Sequence, residues 1–370
     1  MIHFGDISKE EFLKEYWQKK PLFIKNAIPD FVSPLSPNEL AGLSCEDEFE
    51  SRIIKGSVLQ NIWTLENGPF NELSFKNAPN NEWTLLVQGV DKHIQEIYEL
   101  IDEFDFIPRW RFDDVMVSFA SLGGSVGPHY DYYDVFLLQG HGKREWQISS
   151  IDCNPNNYVS NSPLRIMEKF EMETTWVAEP GDIVYIPPGI AHHGVSIDNE
   201  CITLSIGYRS YSANEMLESL ELTTHKHNNA YYVDPLWLDY GGSSEIPNSA
   251  IDKSKKLINN KDLPDTFFGC FVTKLDPLDE EKFNAIVAFE NPVIIKESAA
   301  YNLHPLSRIA YQFINSELVL FINGNTLQIN DICDDFIIDF CNTRKINVNN
   351  QNKPLALQLS ALSLLEETRP

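Results

Sequence analysis

His129-Tyr130-Asp131, answered downstream by Ile186-Pro187-Pro188-Gly189-Ile190-Ala191-His192, is the stretch on which the reading of this chain turns. In an extended strand, side chains two apart point to the same face. His129 and Asp131 therefore offer an imidazole nitrogen and a carboxylate oxygen to one point in space. A second imidazole, from His192, completes a two-histidine, one-carboxylate triad on one face of an octahedral metal. Such a set leaves the opposite positions open, the arrangement that non-haem Fe(II) oxygenases use for a co-substrate and O2. The tripeptide by itself carries little weight, because nine histidines and 54 acidic residues produce such a pattern by chance.

Its surroundings supply the weight. Gly123-Gly124-Ser125-Val126-Gly127-Pro128 precedes His129 as a flexible turn able to bring backbone close to a metal or ligand. Val135-Phe136-Leu137-Leu138 reads as a buried strand, ended by Gly140-His141-Gly142 as a hairpin-like turn. The next strand opens Lys143-Arg144-Glu145-Trp146-Gln147-Ile148. Glu179-Pro180-Gly181-Asp182 turns tightly into Ile183-Val184-Tyr185-Ile186, and Pro187-Pro188-Gly189 closes that strand just before His192. Strands joined by glycine turns, with ligands at strand ends, predict a cupin barrel carrying its site in the mouth.

The segment Gly127 to Phe136, the Gly-x-Gly-Lys-Arg turn and the Pro-Gly-Asp-x-x-Tyr-Ile-Pro-Pro-Gly-x-x-His run together resemble JmjC-type 2-oxoglutarate oxygenases. Within that group the chain is most similar to the bacterial ribosomal oxygenases, whose usual opening Phe12-Leu13-Lys14-Glu15-Tyr16-Trp17-Gln18-Lys19-Lys20-Pro21-Leu22 matches. The motifs cover residues 115 to 209, and the general layout agrees along nearly the whole chain. The resemblance implies Fe(II) held by His129, Asp131 and His192, with Arg144 on the distal carboxylate of 2-oxoglutarate. A guanidinium fork suits that task, since it grips a carboxylate in two places. Ser118 matches a hydroxyl position that helps hold the co-substrate, and Ser205, on the strand Ile202 to Ile206, is a further candidate for the same pocket. Ala191 stands where relatives often carry proline, which leaves His193 as a rival to His192. The resemblance also implies O2 as co-substrate, succinate and CO2 as products, homodimerisation, and hydroxylation of a large-subunit ribosomal protein at an arginine β-carbon.

Plainer readings exist for each residue. Asp131 is readable as a turn acid, and Arg144, without its flanking motifs, as a surface strand charge. His141 lies between glycines and reads as a solvated turn residue, as do His225 and His227 in Thr223-Thr224-His225-Lys226-His227. Strand serines such as Ser205 are common and need no ligand.

At 370 residues the chain is long enough for two or three domains. No apolar run reaches the length of a membrane span, and Met1-Ile2-His3-Phe4-Gly5-Asp6 lacks a signal-peptide pattern. The six cysteines are scattered without a Cys-x-x-Cys pair, which predicts reduced thiols and a cytoplasmic protein. A net charge of −25 argues against nucleic-acid binding, which demands a basic patch. Acidic stretches such as Glu46-Asp47-Glu48 attract a basic partner instead, or serve solubility alone. A ribosomal protein is such a partner.

The expected architecture is α+β: a double-stranded β-helix (cupin/JmjC) barrel over residues 1–210, a helical dimerisation region over 211–263, and a winged-helix-like module over 264–370. A helix is expected from Lys9 to Gln18 and another from Ser212 to His225, after a cap at Ser212. In the last region Asp279 to Phe289, Ile332 to Phe340 and Leu355 to Glu366 read as helices, and Ser307 to Phe313 as helix or strand. Leu318 to Ile322 with Asn323-Gly324 reads as a hairpin arm and its turn. Three rival functions share parts of this pattern: an N-methyl-lysine demethylase, a Zn- or Mn-dependent cupin isomerase, and a non-catalytic interaction module. The isomerase would have no use for Arg144, and the complete triad argues against the interaction module.

Overall fold

The computed structural model describes residues 2–57, 62–160, 162–220, 230–238, 241–260, 262–289, 291–329 and 332–368. They form two compact units, Met1–Phe104 with Phe112–Ser210, and Asp105–Arg111 with Tyr211–Pro370.

The first unit runs β1 (Leu22–Ile24), β2 (Ser51–Ser57), β3 (Ile62–Asn67), β4 (Trp83–Val87), β5 (Phe112–Ala120) and β6 (His129–Tyr130). It continues with β7 (Val135–His141), β8 (Arg144–Ser149), β9 (Thr174–Ala178), β10 (Ile183–Ile186), β11 (Ala191–Ser196) and β12 (Cys201–Tyr208). One sheet has the order β1-β10-β7-β12-β5-β4-β2-β3, the other β6-β11-β8-β9. From β7 onward the chain passes back and forth between the sheets, which is the double-stranded β-helix of a cupin. The Gly140-His141-Gly142 turn is consequently not a hairpin. β7 pairs with β10 and β12, while β8 pairs with β11 and β9, so the turn is a corner between sheets. Gly142 makes that corner at φ +63, where an added Cβ would fall 2.1 Å from the Glu200 carbonyl oxygen.

Alternate residues of these strands meet between the sheets, where Val135, Leu137, Trp146, Ile148, Ala178, Val184 and Ile186 form one core. The intervening residues are also buried, because the N-terminal helix Lys9–Glu15 covers the outer face. Phe12 and Trp17 pack on Phe136 and Tyr185. Burial on both faces explains why Val135 to Leu138 is apolar without alternation. The helix starts at Ser8, whose hydroxyl accepts from the Glu11 amide at 3.1 Å. It stops at Glu15, short of the expected Gln18, which has φ 56 and so cannot continue it.

In the second unit the helix Ala213–Ser219 begins with a capping box of Ser212 and Glu215. Its expected continuation to His225, and His225 and His227 themselves, lie outside the described residues. Arg111 and Asp234 form a buried ion pair at 2.8 Å, with Tyr211 and Tyr232 against the guanidinium. Helices Phe267–Thr273, Pro277–Phe289 and Asp334–Thr343 accompany β13 (Ala300–Leu303) and the antiparallel trio β14 (Ile309–Ile314), β15 (Glu317–Ile322) and β16 (Asn325–Leu327). Of Ser307 to Phe313, read as helix or strand, Ile309 onward is strand. Asn323-Gly324 makes the expected turn between β15 and β16. The helix expected from Leu355 to Glu366 is Lys353–Ala361; Ser363, at φ 55, ends the helical run and the chain becomes a short strand, Leu365–Glu367. Tyr301, Phe340, Leu355 and Leu359 centre this unit's core. Among the described residues no helix is long and apolar enough to cross a membrane.

Candidate metal and co-substrate site

β6 and β11 pair antiparallel with His129 directly opposite His192, bringing their ring centroids to 4.3 Å. Asp131 follows immediately after β6, and its carbonyl accepts from the Gly189 amide at 2.7 Å. The Pro187-Pro188-Gly189 turn is thereby tied to the His-x-Asp segment. The Nε2 atoms of both histidines lie 3.8 Å from Asp131 Oδ2, too far to hydrogen-bond it. One ligand atom from each residue falls within 4.8 Å of the other two. The remaining ring nitrogens face acceptors: His129 Nδ1 lies 2.9 Å from the Gly127 carbonyl and His192 Nδ1 3.4 Å from that of Ile190. A carbonyl only accepts, so each Nδ1 carries a hydrogen and each Nε2 faces the common point.

Electrostatics agree with that arrangement. Burial, then the charge of His129, pushes His192 well below the ordinary histidine range, so it is a neutral imidazole and a competent ligand. Burial raises Asp131, opposed by His129, a hydrogen bond from Tyr133 and the charge of Arg165. His193 points to the other face of β11, with Nδ1 3.3 Å from Gln147 Oε1 and its ring against Phe170. His192, not His193, joins the cluster.

Arg144 opens β8, opposite Ser196 of β11, and is only 3% exposed. Its Nη1 reaches the hydroxyls of Ser118 and Thr203, and its Nη2 the Gly194 carbonyl, all at 3.4 Å. These contacts are longer than well-made hydrogen bonds, and Nε has no partner. Among the described residues no carboxylate pairs with this guanidinium, whose pKa burial alone pulls down. A buried cation left so under-satisfied is a site for an anion. The guanidinium lies 5.1 Å from the Trp146 ring, which in turn lies 5.9 Å from that of His192, so one side chain walls both centres.

Ser118 is buried on β5 and donates to the Thr203 carbonyl at 3.3 Å while facing Arg144. Ser205 sits one pleat further along β12, opposite Leu137 and Met116, and no hydrogen bond joins it to Arg144 among the described residues. His141 is exposed. Three residues near Arg144 escape a reading of the sequence. Thr203 and Gln139 meet it through a buried chain of hydrogen bonds. Gly194 is required by close approach, since a Cβ there would fall 2.5 Å from the Trp146 ring and 2.8 Å from Arg144 Nε. A glycine inside a strand pattern, directly after His192-His193, is the signal that marks such contact.

Converging neutral imidazole and carboxylate donors, together with an orphaned buried guanidinium, fit a metal ion and an acidic co-substrate. Comparisons with known proteins agree. A JmjC domain model matches residues 99–216, and a ROXA-like winged helix model matches residues 256–366. The ribosomal protein uL16 3-hydroxylase of Escherichia coli is 33% identical over 270 residues, 71% of each chain. A Haemophilus influenzae protein described as a "Probable ribosomal oxygenase" is 38% identical over 215 residues, 58% of this chain; the match spans 52%, about half, of that relative's length. An X-ray structure of E. coli YcfD superposes with a TM-score of 0.71 at 25% identity, over 100% of both chains. A YcfD structure in complex with cobalt and 2-oxoglutarate gives 0.67 at 25% identity over 97% of both. The chain belongs to the ribosomal oxygenases, the JmjC-domain family that includes the uL16 3-hydroxylase.

Proposed function

We propose that this chain is an Fe(II)- and 2-oxoglutarate-dependent oxygenase that hydroxylates an arginine of ribosomal protein uL16. The observation that carries the reading is the pairing of two incomplete centres across Trp146. One is a set of three converging ligand atoms, and the other is a buried guanidinium lacking a counter-charge. His129, Asp131 and His192 hold the metal, and Arg144 with Ser118 takes the distal carboxylate of 2-oxoglutarate. Ser205, on the same face of β12 as Thr203, lines the pocket between them. When bound, iron and 2-oxoglutarate supply the O2 activation that inserts oxygen into a C–H bond, with succinate and CO2 released.

The chain's own contribution is placement and charge. An Nδ1–H bond to the Gly127 carbonyl fixes the His129 imidazole with Nε2 inward, and His192 Nδ1 faces the Ile190 carbonyl. Trp146 and the strands above it keep water from the guanidinium, strengthening its grip on a carboxylate. Acidic side chains gather beside Asp131. Tyr133, bonded to Asp131 and 41% exposed, has its hydroxyl held protonated by burial and by Asp131, Asp114 and Asp113. Asp114 is itself pushed up to about 7 by burial, then by Asp113 and Asp91.

The same reading makes the protein a homodimer through residues 211–263, where Tyr231, Val233 and Leu236 are exposed apolar side chains. Light scattering of the purified chain checks that part. The central test is incubation with Fe(II), 2-oxoglutarate and a uL16 fragment. Fragment mass should rise by one oxygen on arginine, matched by succinate. Succinate formed without any oxygen gained by uL16 would reject the substrate, and absence of both would reject the enzyme class.

A further inference from the structure

Gln139 is fully buried, and its partners determine its orientation completely. Its Nε2 donates to the carbonyls of His141 at 2.7 Å and Gly142 at 3.2 Å, with the Cys201 sulfur at the same 3.2 Å. Carbonyls only accept, so the amide nitrogen faces the β7–β8 corner and Oε1 must face β12. There the Thr203 hydroxyl donates to Oε1 at 3.1 Å. With its single hydrogen committed to Gln139, Thr203 Oγ1 turns its lone pairs toward Arg144 Nη1, 3.4 Å away.

A break in strand register puts Gln139 in this position. Ile202 pairs with His141 and Thr203 with Gln139, which leaves Gly140 without a partner on β12. Such bulges re-aim a neighbouring side chain. A Cβ at Gly140 would lie 2.8 Å from Leu204 Cδ1, so a larger residue there requires that side chain to shift.

We propose that Gln139 and Thr203 are positioning residues for Arg144. Gln139 pins the corner that delivers Arg144 into β8, and through Thr203 it orients an acceptor against one limb of the guanidinium fork. The other donors of the fork stay directed into the pocket. The inference rests on the reading of Arg144 as the carboxylate anchor.

The test is equilibrium binding of 2-oxoglutarate to the full-length, metal-loaded protein without oxygen, read by calorimetry. The 3.4 Å contact between Thr203 and Arg144 belongs at the low end of about 0.5–1.5 kcal/mol, so Thr203→Val should raise the Kd about two- to threefold. Thr203→Ser, which keeps the hydroxyl, should restore the native value. Gln139→Leu should weaken binding at least as much as Thr203→Val. Because the two act in series, the double variant should be no weaker than Gln139→Leu alone. The KM for the uL16 fragment should not move in any of them, a split that general loosening of the barrel would not give. Should Gln139→Leu fail to fold, Thr203→Val and its serine rescue decide the matter. Native Kd in Thr203→Val, alongside lost binding in Arg144→Ala, overturns the positioning role alone. Native Kd in Arg144→Ala overturns the anchor and this inference together.

Discussion

Replacing Arg144 with methionine should make the protein more stable and nearly blind to 2-oxoglutarate at once. The guanidinium is 3% exposed, and its three contacts are to neutral groups at 3.4 Å. Bonds of that length belong at the low end of about 0.5–1.5 kcal/mol each. Against them stands the desolvation of an unpaired ion, several kcal/mol even after relaxation. Methionine keeps an apolar stem beside Trp146 and removes the charge, so the apo protein should gain about 1–4 kcal/mol. In a unit of this size each kcal/mol moves Tm by about 2–4 °C. The bound carboxylate, by contrast, loses its buried charge partner, at a cost of about 2–5 kcal/mol. That is roughly thirtyfold to several thousandfold in Kd. Thermal melts of the apo protein and calorimetric titration with 2-oxoglutarate measure the two effects independently. A variant that melts several degrees lower yet binds 2-oxoglutarate with native affinity would refute the reasoning, because Arg144 would then be a structural cation with a partner.

Other outcomes follow from the same geometry. Asp131→Ala should fold normally but lose bound metal, measured by elemental analysis after dialysis, together with 2-oxoglutarate turnover; full turnover would end the ligand assignment. His192→Ala should behave likewise while His193→Ala keeps its metal, and the reverse pattern would exchange their roles. Hydroxylation of an arginine-containing uL16 fragment should slow as salt rises, through KM, because steering by a chain of charge −25 is screened beyond about 8–10 Å. Uncoupled turnover of 2-oxoglutarate, whose anchor is buried, should barely respond. His304 is lowered to about 4 by burial, and its Nδ1 accepts from the Leu306 amide. Its folded pKa lies below the ordinary value near 6.5, so the unfolded chain binds the extra proton. The second unit should therefore keep full stability above about 6.5 and lose it as pH falls toward 4, and His304→Gln should flatten that slope in pH-dependent melts.

The His129, Asp131 and His192 cluster is legible in the sequence because its geometry is local. Two ligands two residues apart on one strand, and a third behind a Pro-Pro-Gly stop, need only strand periodicity to be brought together. The same periodicity states that His192 and His193 cannot both serve, and the register His192 opposite His129 decides between them. The Gly140-His141-Gly142 turn shows where local reading fails. Glycines announce a reversal equally well within a sheet and between sheets. Which one occurs depends on β7 pairing with β12, a partner some sixty residues away that no local pattern names. Gln139 and Thr203 are hidden for the same reason, since each matters only through what another strand places against it.

The two halves of the site also differ in what builds them. His129 and His192 belong to neighbouring strands of the four-stranded sheet, and Asp131 follows the first of these directly. Pairing of β6 with β11 is enough to assemble the three ligands. Arg144 belongs to that same sheet, but the hydroxyls that meet its guanidinium come from Ser118 on β5 and Thr203 on β12, both in the eight-stranded sheet. The proposed anchor is complete only where the two sheets face each other across Trp146 and Leu137, in the core they share. Damage to that core should therefore weaken co-substrate binding before it weakens metal binding. On the proposed assignment, the barrel is needed less to hold a metal ion than to surround the buried charge that takes the co-substrate's carboxylate.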